Sequence, residues 1–106
     1  PLPLVSAIII TRNEAAKIAD CLDSLAFCDE RIVVDSGSDD DTVRIARERG
    51  ARVEHHDFEG FGAQKNFALS LASGDWILTV DADERVSPAL AAELRAARDV
   101  HYKQAS

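Results

Sequence analysis

Apolar residues in this chain of 106 residues fall into short blocks whose spacing switches repeatedly between two periods. Val5 to Ile10 is a nearly continuous apolar run broken only at Ser6, and Arg31 to Val34 is brief and β-branched; both patterns predict strands. Ala51 to His55 predicts a weaker third strand. Trp76 to Val80, the most apolar run of all, predicts a fourth that is buried. Between these blocks the spacing becomes helical. Ala15 to Leu25 carries Ile18, Leu22 and Leu25 on one face with Cys21 beside them, and Lys17, Asp20 and Asp23 on the other. Thr42 to Arg49 holds Val43, Ile45 and Ala46 and stops at Gly50, the expected C′ residue. Ala63 to Ala72 holds Phe67 and Leu71 and is closed by Gly74. Ser87 and Pro88 form an N-cap and first-turn pair that opens an alanine-rich helix through about Arg98. The polar residues Asp99 to Ser106 are expected to fray.

Regular strand–helix alternation predicts the α/β class: a Rossmann-like, mostly parallel sheet with helices on both faces and right-handed crossovers. Ligands of such sheets bind outside the carboxyl ends of the strands. Polar residues collect just past each predicted strand. Thr11-Arg12-Asn13-Glu14 follows the first, and Asp35-Ser36-Gly37-Ser38-Asp39-Asp40-Asp41-Thr42 the second. His56-Asp57 and the flexible-looking Glu59-Gly60-Phe61-Gly62 follow the third, and Asp81-Ala82-Asp83 the fourth. One fold rule therefore gathers all of these clusters on a single rim.

Asp81 and Asp83 carry the strongest chemical signal. In extended chain, residues two apart point to the same side, so the two carboxylates converge. Like charges at that separation repel unless a cation lies between them, and a hard divalent ion with oxygen ligands, Mg²⁺ or Mn²⁺, is the natural partner. Other polar residues have structural alternatives. Asn13 and Glu14 would also suit the first turn of a helix, and Ser38 to Asp41 contains good N-cap residues. Asp35, at the end of its strand, is harder to assign to capping. Lys65 would add a cation near the rim or simply lie on a solvated helix face. His55 and His56 read as surface or strand-end residues, and Cys21 as core.

Composition narrows the classes of partner. The formal net charge is −7, which argues against nucleic acid, whose phosphates are held by lysine and arginine patches, and against simple electrostatic attachment to an anionic membrane. An anionic ligand would need positive charge brought to the site. Cys21 and Cys28 fit no zinc spacing and read as reduced thiols of a cytosolic protein. No apolar run reaches transmembrane length, and no secretory leader pattern occurs. A start at Pro1 in place of methionine fits a processed or trimmed chain, or one whose leading residues lie outside this sequence. Walker lysine–serine and Gly-x-Gly-x-x-Gly patterns are both missing.

Three segments resemble, in order, the motifs of the GT-A, family 2 inverting glycosyltransferases: Ile9-Ile10-Thr11-Arg12-Asn13-Glu14, Ile32-Val33-Val34-Asp35-Ser36-Gly37-Ser38 with Asp40 and Thr42, and Asp81-Ala82-Asp83. The stretch Glu59 to Leu69, with Gly74-Asp75-Trp76 and Asp83-Glu84-Arg85, is similar to the bacterial branch that adds glucose to the lipopolysaccharide inner core. The likeness runs from about residue 4 to residue 98. It implies a nucleotide-diphosphate sugar donor, UDP-glucose first among them, and a glycan or glycolipid acceptor. By position it implies that Thr11, Arg12, Asn13 and Glu14 line base and ribose, that Asp35 and Ser36 sit at the base, and that Lys65 and Asn66 lie close to the donor. It also implies that Asp83 is the principal ligand of Mg²⁺ or Mn²⁺, with Asp81 and Ala82 beside the donor and Asp81 contacting ribose or the metal through water. Many relatives carry a second acid where this chain has Ser36.

In that family the general base comes from beyond the donor half, and this chain offers no candidate for it. Residues 1–98 are therefore expected to be a nucleotide-sugar-binding half-domain with a polar tail at 99–106 and the acceptor half absent. Apolar surface left bare would favour self-association, and the full enzyme would act in the cytoplasm, with peripheral inner-membrane association as an option. Two other classes compete: a nucleotide-sugar-binding module without catalysis, and a phospho-acceptor signalling domain with Asp35 or Asp81 in an acidic pocket.

Overall fold

The computed structural model describes residues 4–105, and the side chains of residues 4–98. Strands and helices alternate throughout: β1 (Val5–Thr11), α1 (Ile18–Ser24), β2 (Glu30–Asp35), α2 (Thr42–Glu48), β3 (Arg52–His55), α3 (Phe61–Leu71), β4 (Trp76–Asp81) and α4 (Pro88–Ala105). The strands form one parallel sheet in the order β3-β2-β1-β4. This is the α/β architecture that the hydrophobic pattern predicts.

The sheet is covered on both faces because alternate strand residues point opposite ways. Val5, Ala7 and Ile9 of β1, with Val33 and Val80, pack on Ile18, Cys21, Leu22 and Leu25 of α1, Ala46 of α2 and Ala91 of α4. Ile8, Ile32 and Val34 face the other way, onto Ala68, Phe67 and Leu71 of α3. Each fully buried Ile, Leu or Val contributes about 1.5–3 kcal/mol from its removal from water, so the central pair β1–β2 holds the fold together.

β4 departs from expectation. Its run of apolar residues predicts a strand buried on both faces, yet Ile77 and Thr79 are exposed. They align with Ser6 and Ile8 of β1, on the face where α3 lies over β1 and β2. Among the described residues no strand pairs with the far edge of β4. Hydropathy measures the content of a strand, not which neighbours cover it.

Local chemistry also moves several element ends. α1 begins at Ile18 and not Ala15, because the backbone N–H groups of Asn13, Glu14 and Ala15 are drawn to Ser38 Oγ, Thr42 Oγ1 and Asp40 Oδ2 of the β2–α2 loop. Asp41 precedes α2 without capping it through its side chain; it pairs instead with Arg44 at 3.1 Å, while Asp40 Oδ1 accepts the Thr42 N–H. Gly50 takes the left-handed conformation (φ 85°) expected past the end of α2. Gly74 is not a helix terminator, since α3 ends earlier, at Leu71. It is glycine because a Cβ there would lie 2.4 Å from Ser6 Oγ and 2.8 Å from the Ser6 backbone nitrogen. The backbone of α4 stays helical to Ala105, past the Arg98 end that the pattern predicts, with no glycine or proline to stop it. The polar tail otherwise lies outside the described side chains.

Candidate active site

Connections from β1 through α1 to β2, and from β2 through α2 to β3, step across the sheet in one direction. The β3–α3–β4 connection returns to the opposite side of β1, with α3 on the other face. The carboxyl ends of β1 and β4 lie side by side where the strand order reverses, and residues at and after both ends line a crevice at this switch point, where ligands of parallel sheets bind. The register sets Ile10 beside Asp81, and Thr11 beside Asp35, along this rim.

Two lobes form one groove there. A lobe of about 430 Å³ is lined by Ile10, Glu14, Phe61, Lys65, Asp81, Ala82 and Asp83. A lobe of about 320 Å³ is lined by Ile10, Thr11, Arg12, Glu14, Ser36, Phe58 and Phe61. Ile10, Glu14 and Phe61 belong to both. The first lobe sets three carboxylates against one ammonium, so a bare anion would be repelled; the second is mostly apolar with Arg12 at its wall.

The acidic pair is aimed by a turn. Asp81 closes β4, and the Glu84 N–H donates to its carbonyl at 2.9 Å, while the Asp81 N–H donates to Glu84 Oε1 at 2.8 Å. Ala82 is buried in the core, which leaves Asp81 and Asp83 on the cleft side. Their place in one lobe thus comes from a turn with Ala82 buried at its middle and not from the extended chain. Both carboxylates are exposed and neither makes a hydrogen bond or ion pair among the described residues. Nor do three His, Cys, Asp or Glu side chains gather there into a complete metal cage. An open carboxylate pair fits Mg²⁺ or Mn²⁺, which bind through one or two carboxylates with phosphates and water supplying the other ligands. Behind the turn, Cys21 sits in the core with its thiol 3.7 Å from the Asp81 carbonyl, and burial, then Glu84, Asp83 and Asp81, push its pKa up to about 11.

Asp35 does not face the groove. Its carboxylate is buried and accepts hydrogen bonds from Thr11 Oγ1 (2.7 Å), Ser38 Oγ (2.6 Å), the Ser38 N–H (2.8 Å) and the Gly37 N–H (3.0 Å). Burial raises its pKa, but these bonds favour the anion more and the net shift is downward. A carboxylate offers about four acceptor positions, and all are used within the chain. Asn13, at φ 54°, is exposed but engaged within the chain: its Oδ1 accepts the Asp39 N–H at 2.8 Å. Asn66 is exposed on α3 but lines neither lobe. Of the residues singled out from sequence, Thr11, Arg12, Glu14, Ser36, Lys65, Asp81, Ala82 and Asp83 line the groove, whereas Asn13 and Asp35 brace its wall.

The histidines are occupied locally. His55 Nε2 meets Asp57 Oδ1 at 2.6 Å, and the His56 ring stacks on Phe67 at 4.4 Å and hydrogen-bonds the buried Gln64. Phe58 and Phe61 are the groove residues that sequence reasoning missed. They touch edge to face, 5.1 Å between centroids, at the mouth of the cleft. An exposed phenylalanine forgoes about 1.5–3 kcal/mol available from burial, and two such rings flanking Glu59-Gly60 in a polar loop were the signal available.

Residues 6–102 match the sequence pattern of Glycosyl transferase family 2. The chain belongs to that family. It is 52% identical over 91 residues to an uncharacterised glycosyltransferase of Rickettsia felis, covering 85% of this chain and 32% of that one. It is 42% identical over 94 residues to the lipopolysaccharide core biosynthesis glycosyltransferase LpsC of Rhizobium meliloti, covering 84% and 34%. Its fold matches the Mycobacterium tuberculosis glucosyl-3-phosphoglycerate synthase in complex with Mn²⁺, UDP and glucosyl-3-phosphoglycerate. The TM-score there is 0.68, with 33% identity, over 76% of this chain and 33% of that one. The glycosyltransferase domain has the GT-A architecture, and the phospho-acceptor alternative gives way to it. The chain spans about a third of the length of the curated relatives it matches.

Proposed function

We propose that this chain is the donor-binding part of a metal-dependent, inverting glycosyltransferase. The enzyme moves a hexose, glucose first among candidates, from a UDP-sugar to a lipopolysaccharide-core or related glycan acceptor. The observation that carries the reading is the pair of unengaged carboxylates, Asp81 and Asp83, held on either side of buried Ala82 at the β1–β4 switch point. The likeness to LpsC supports the acceptor class, and the Mn²⁺ and UDP held by the mycobacterial synthase support donor and metal.

In this reading Asp83, with Asp81, holds Mg²⁺ or Mn²⁺ against the donor pyrophosphate. Bound there, the ion attracts the leaving nucleoside diphosphate more strongly as its charge develops, which lowers the barrier. Lys65 adds a second cation to the same lobe. Thr11, Arg12, Glu14 and Ser36 line the nucleoside, and Asp35 and Asn13 hold that wall in place from behind. A general base must still remove the acceptor proton; the reading assigns it to protein outside this chain, so the isolated chain binds donor without turnover. The setting proposed is the cytoplasm, at or near the cytoplasmic face of the inner membrane. No helix among the described residues is long and apolar enough to cross a membrane.

Calorimetric titration of UDP with and without Mn²⁺ tests the reading. Mn²⁺ should strengthen binding, and Asp83→Ala should remove that gain while leaving the fold intact. Equal affinity in the presence and absence of Mn²⁺ overturns it.

A further inference from the structure

The groove is chemically divided, and the division has a ligand counterpart. One lobe carries Asp81, Asp83 and Lys65; the other carries Phe58 beside Thr11, Arg12 and Ser36, and Phe61 borders both. A nucleoside diphosphate is divided in the same way, into a charged pyrophosphate and a flat base with an apolar π-face. Phe61 is 72% exposed and Phe58 49% exposed, so neither ring serves the core.

The segment carrying these rings is anchored at both ends. The His56 N–H donates to the Asp35 carbonyl at 3.0 Å, Gln64 Nε2 donates to the His56 carbonyl at 3.1 Å, and the His56 ring is stacked on Phe67. Gly60, at φ 117°, makes the turn that brings the two rings into contact. Aromatic faces carried at a cleft mouth on an anchored segment suit a stacked base, because little ordering of the backbone is required when the base arrives.

We propose that Phe58 and Phe61 form the nucleobase platform of the donor site. The base packs on Phe58 in the aromatic lobe, and Phe61 marks the passage of the ribose toward the charged lobe. This rests on the donor-binding reading above and names residues that it lacks. It also makes the rings specificity-determining, since they favour a nucleotide over a phosphate compound without a base.

The test is calorimetry of the chain and its variants with two probes, UDP and inorganic pyrophosphate, each with Mn²⁺. Phe58→Ala and Phe61→Ala should each weaken UDP binding by about tenfold or more and leave pyrophosphate binding unchanged. Phe58→Tyr should keep UDP affinity near the parent value, whereas Phe58→Leu, which retains apolar bulk without a ring, should not. UDP affinity unmoved in both alanine variants overturns the platform while leaving the donor reading standing. Equal weakening of UDP and pyrophosphate overturns it too, because the rings would then only hold the loop. Failure of the parent chain to bind either probe removes the donor reading and this inference together.

Discussion

Thr11 and Asp35 face each other in register at the carboxyl ends of β1 and β2, and Thr11 Oγ1 donates to Asp35 Oδ1 at 2.7 Å. That bond joins the two strand ends, and the three others on the same carboxylate, from Gly37 and Ser38, fold the β2–α2 loop around it. A strand-end acid of this family is thereby committed to the loop itself.

Replacing Asp35 by Asn turns one acceptor into a donor opposite a ring of donors. A loss of about 1–3 kcal/mol is expected for the unsatisfied buried groups, measured by urea unfolding. The parent's acid dependence carries a definite sign. The folded-state pKa of Asp35 is lower than 3.8, so below that value the unfolded chain binds the proton more readily. Its stabilisation is complete above the unfolded value and is lost as pH falls toward the folded one. Asp35→Asn should flatten the unfolding midpoint across that acid window; an unchanged slope refutes the assignment.

Gly74→Ala should destabilise by about 1–3 kcal/mol through overpacking, since the new Cβ meets Ser6 Oγ at 2.4 Å and the Ser6 nitrogen at 2.8 Å. Adding Ser6→Ala removes only the first contact, so recovery should be partial. Full tolerance of Gly74→Ala, seen as an unchanged melting temperature, contradicts the close approach.

Among the described residues no strand pairs with the far edge of β4, and Ile77 on that strand is exposed, a combination that recruits another strand. The chain should self-associate with rising concentration, and Ile77→Lys should shift it toward monomer in sedimentation or size-exclusion measurements. A strict monomer at all concentrations counts against the edge as an adhesive surface.

Cys21 and Cys28 are both pushed up to about 11, by burial first and neighbouring carboxylates second. Between 9.0, the ordinary value, and about 11 the native chain keeps protons that the unfolded chain has lost. Stability should therefore fall as pH rises through that window. Cys21→Ala should lessen the fall, and thiol reagents should react slowly with the native chain at neutral pH; rapid labelling of both thiols would contradict their burial.

Sequence alone determined the α/β class, the order of the elements and the rim on which the polar residues collect. Hydrophobic periodicity and the carboxyl-end rule act through local spacing and chain direction, and both can be read from one strand or helix at a time. Asp81, Asp83 and Thr11 were legible as rim residues for that reason, whereas Lys65, on a helix, was not. Only the tertiary structure decided which rim residues face the groove. Asp35 was turned inward by Thr11, distant in sequence, together with Gly37 and Ser38 of its own loop, and Asn13 was tied to the β2–α2 loop through the Asp39 N–H. Phe58 and Phe61 became a pair because Gly60 and the His56–Gln64 anchor bent the chain, and Ile77 was left in water because α3 lies over β1 and β2. Each outcome depends on how the backbone folds in three dimensions, which the spacing of apolar residues does not encode.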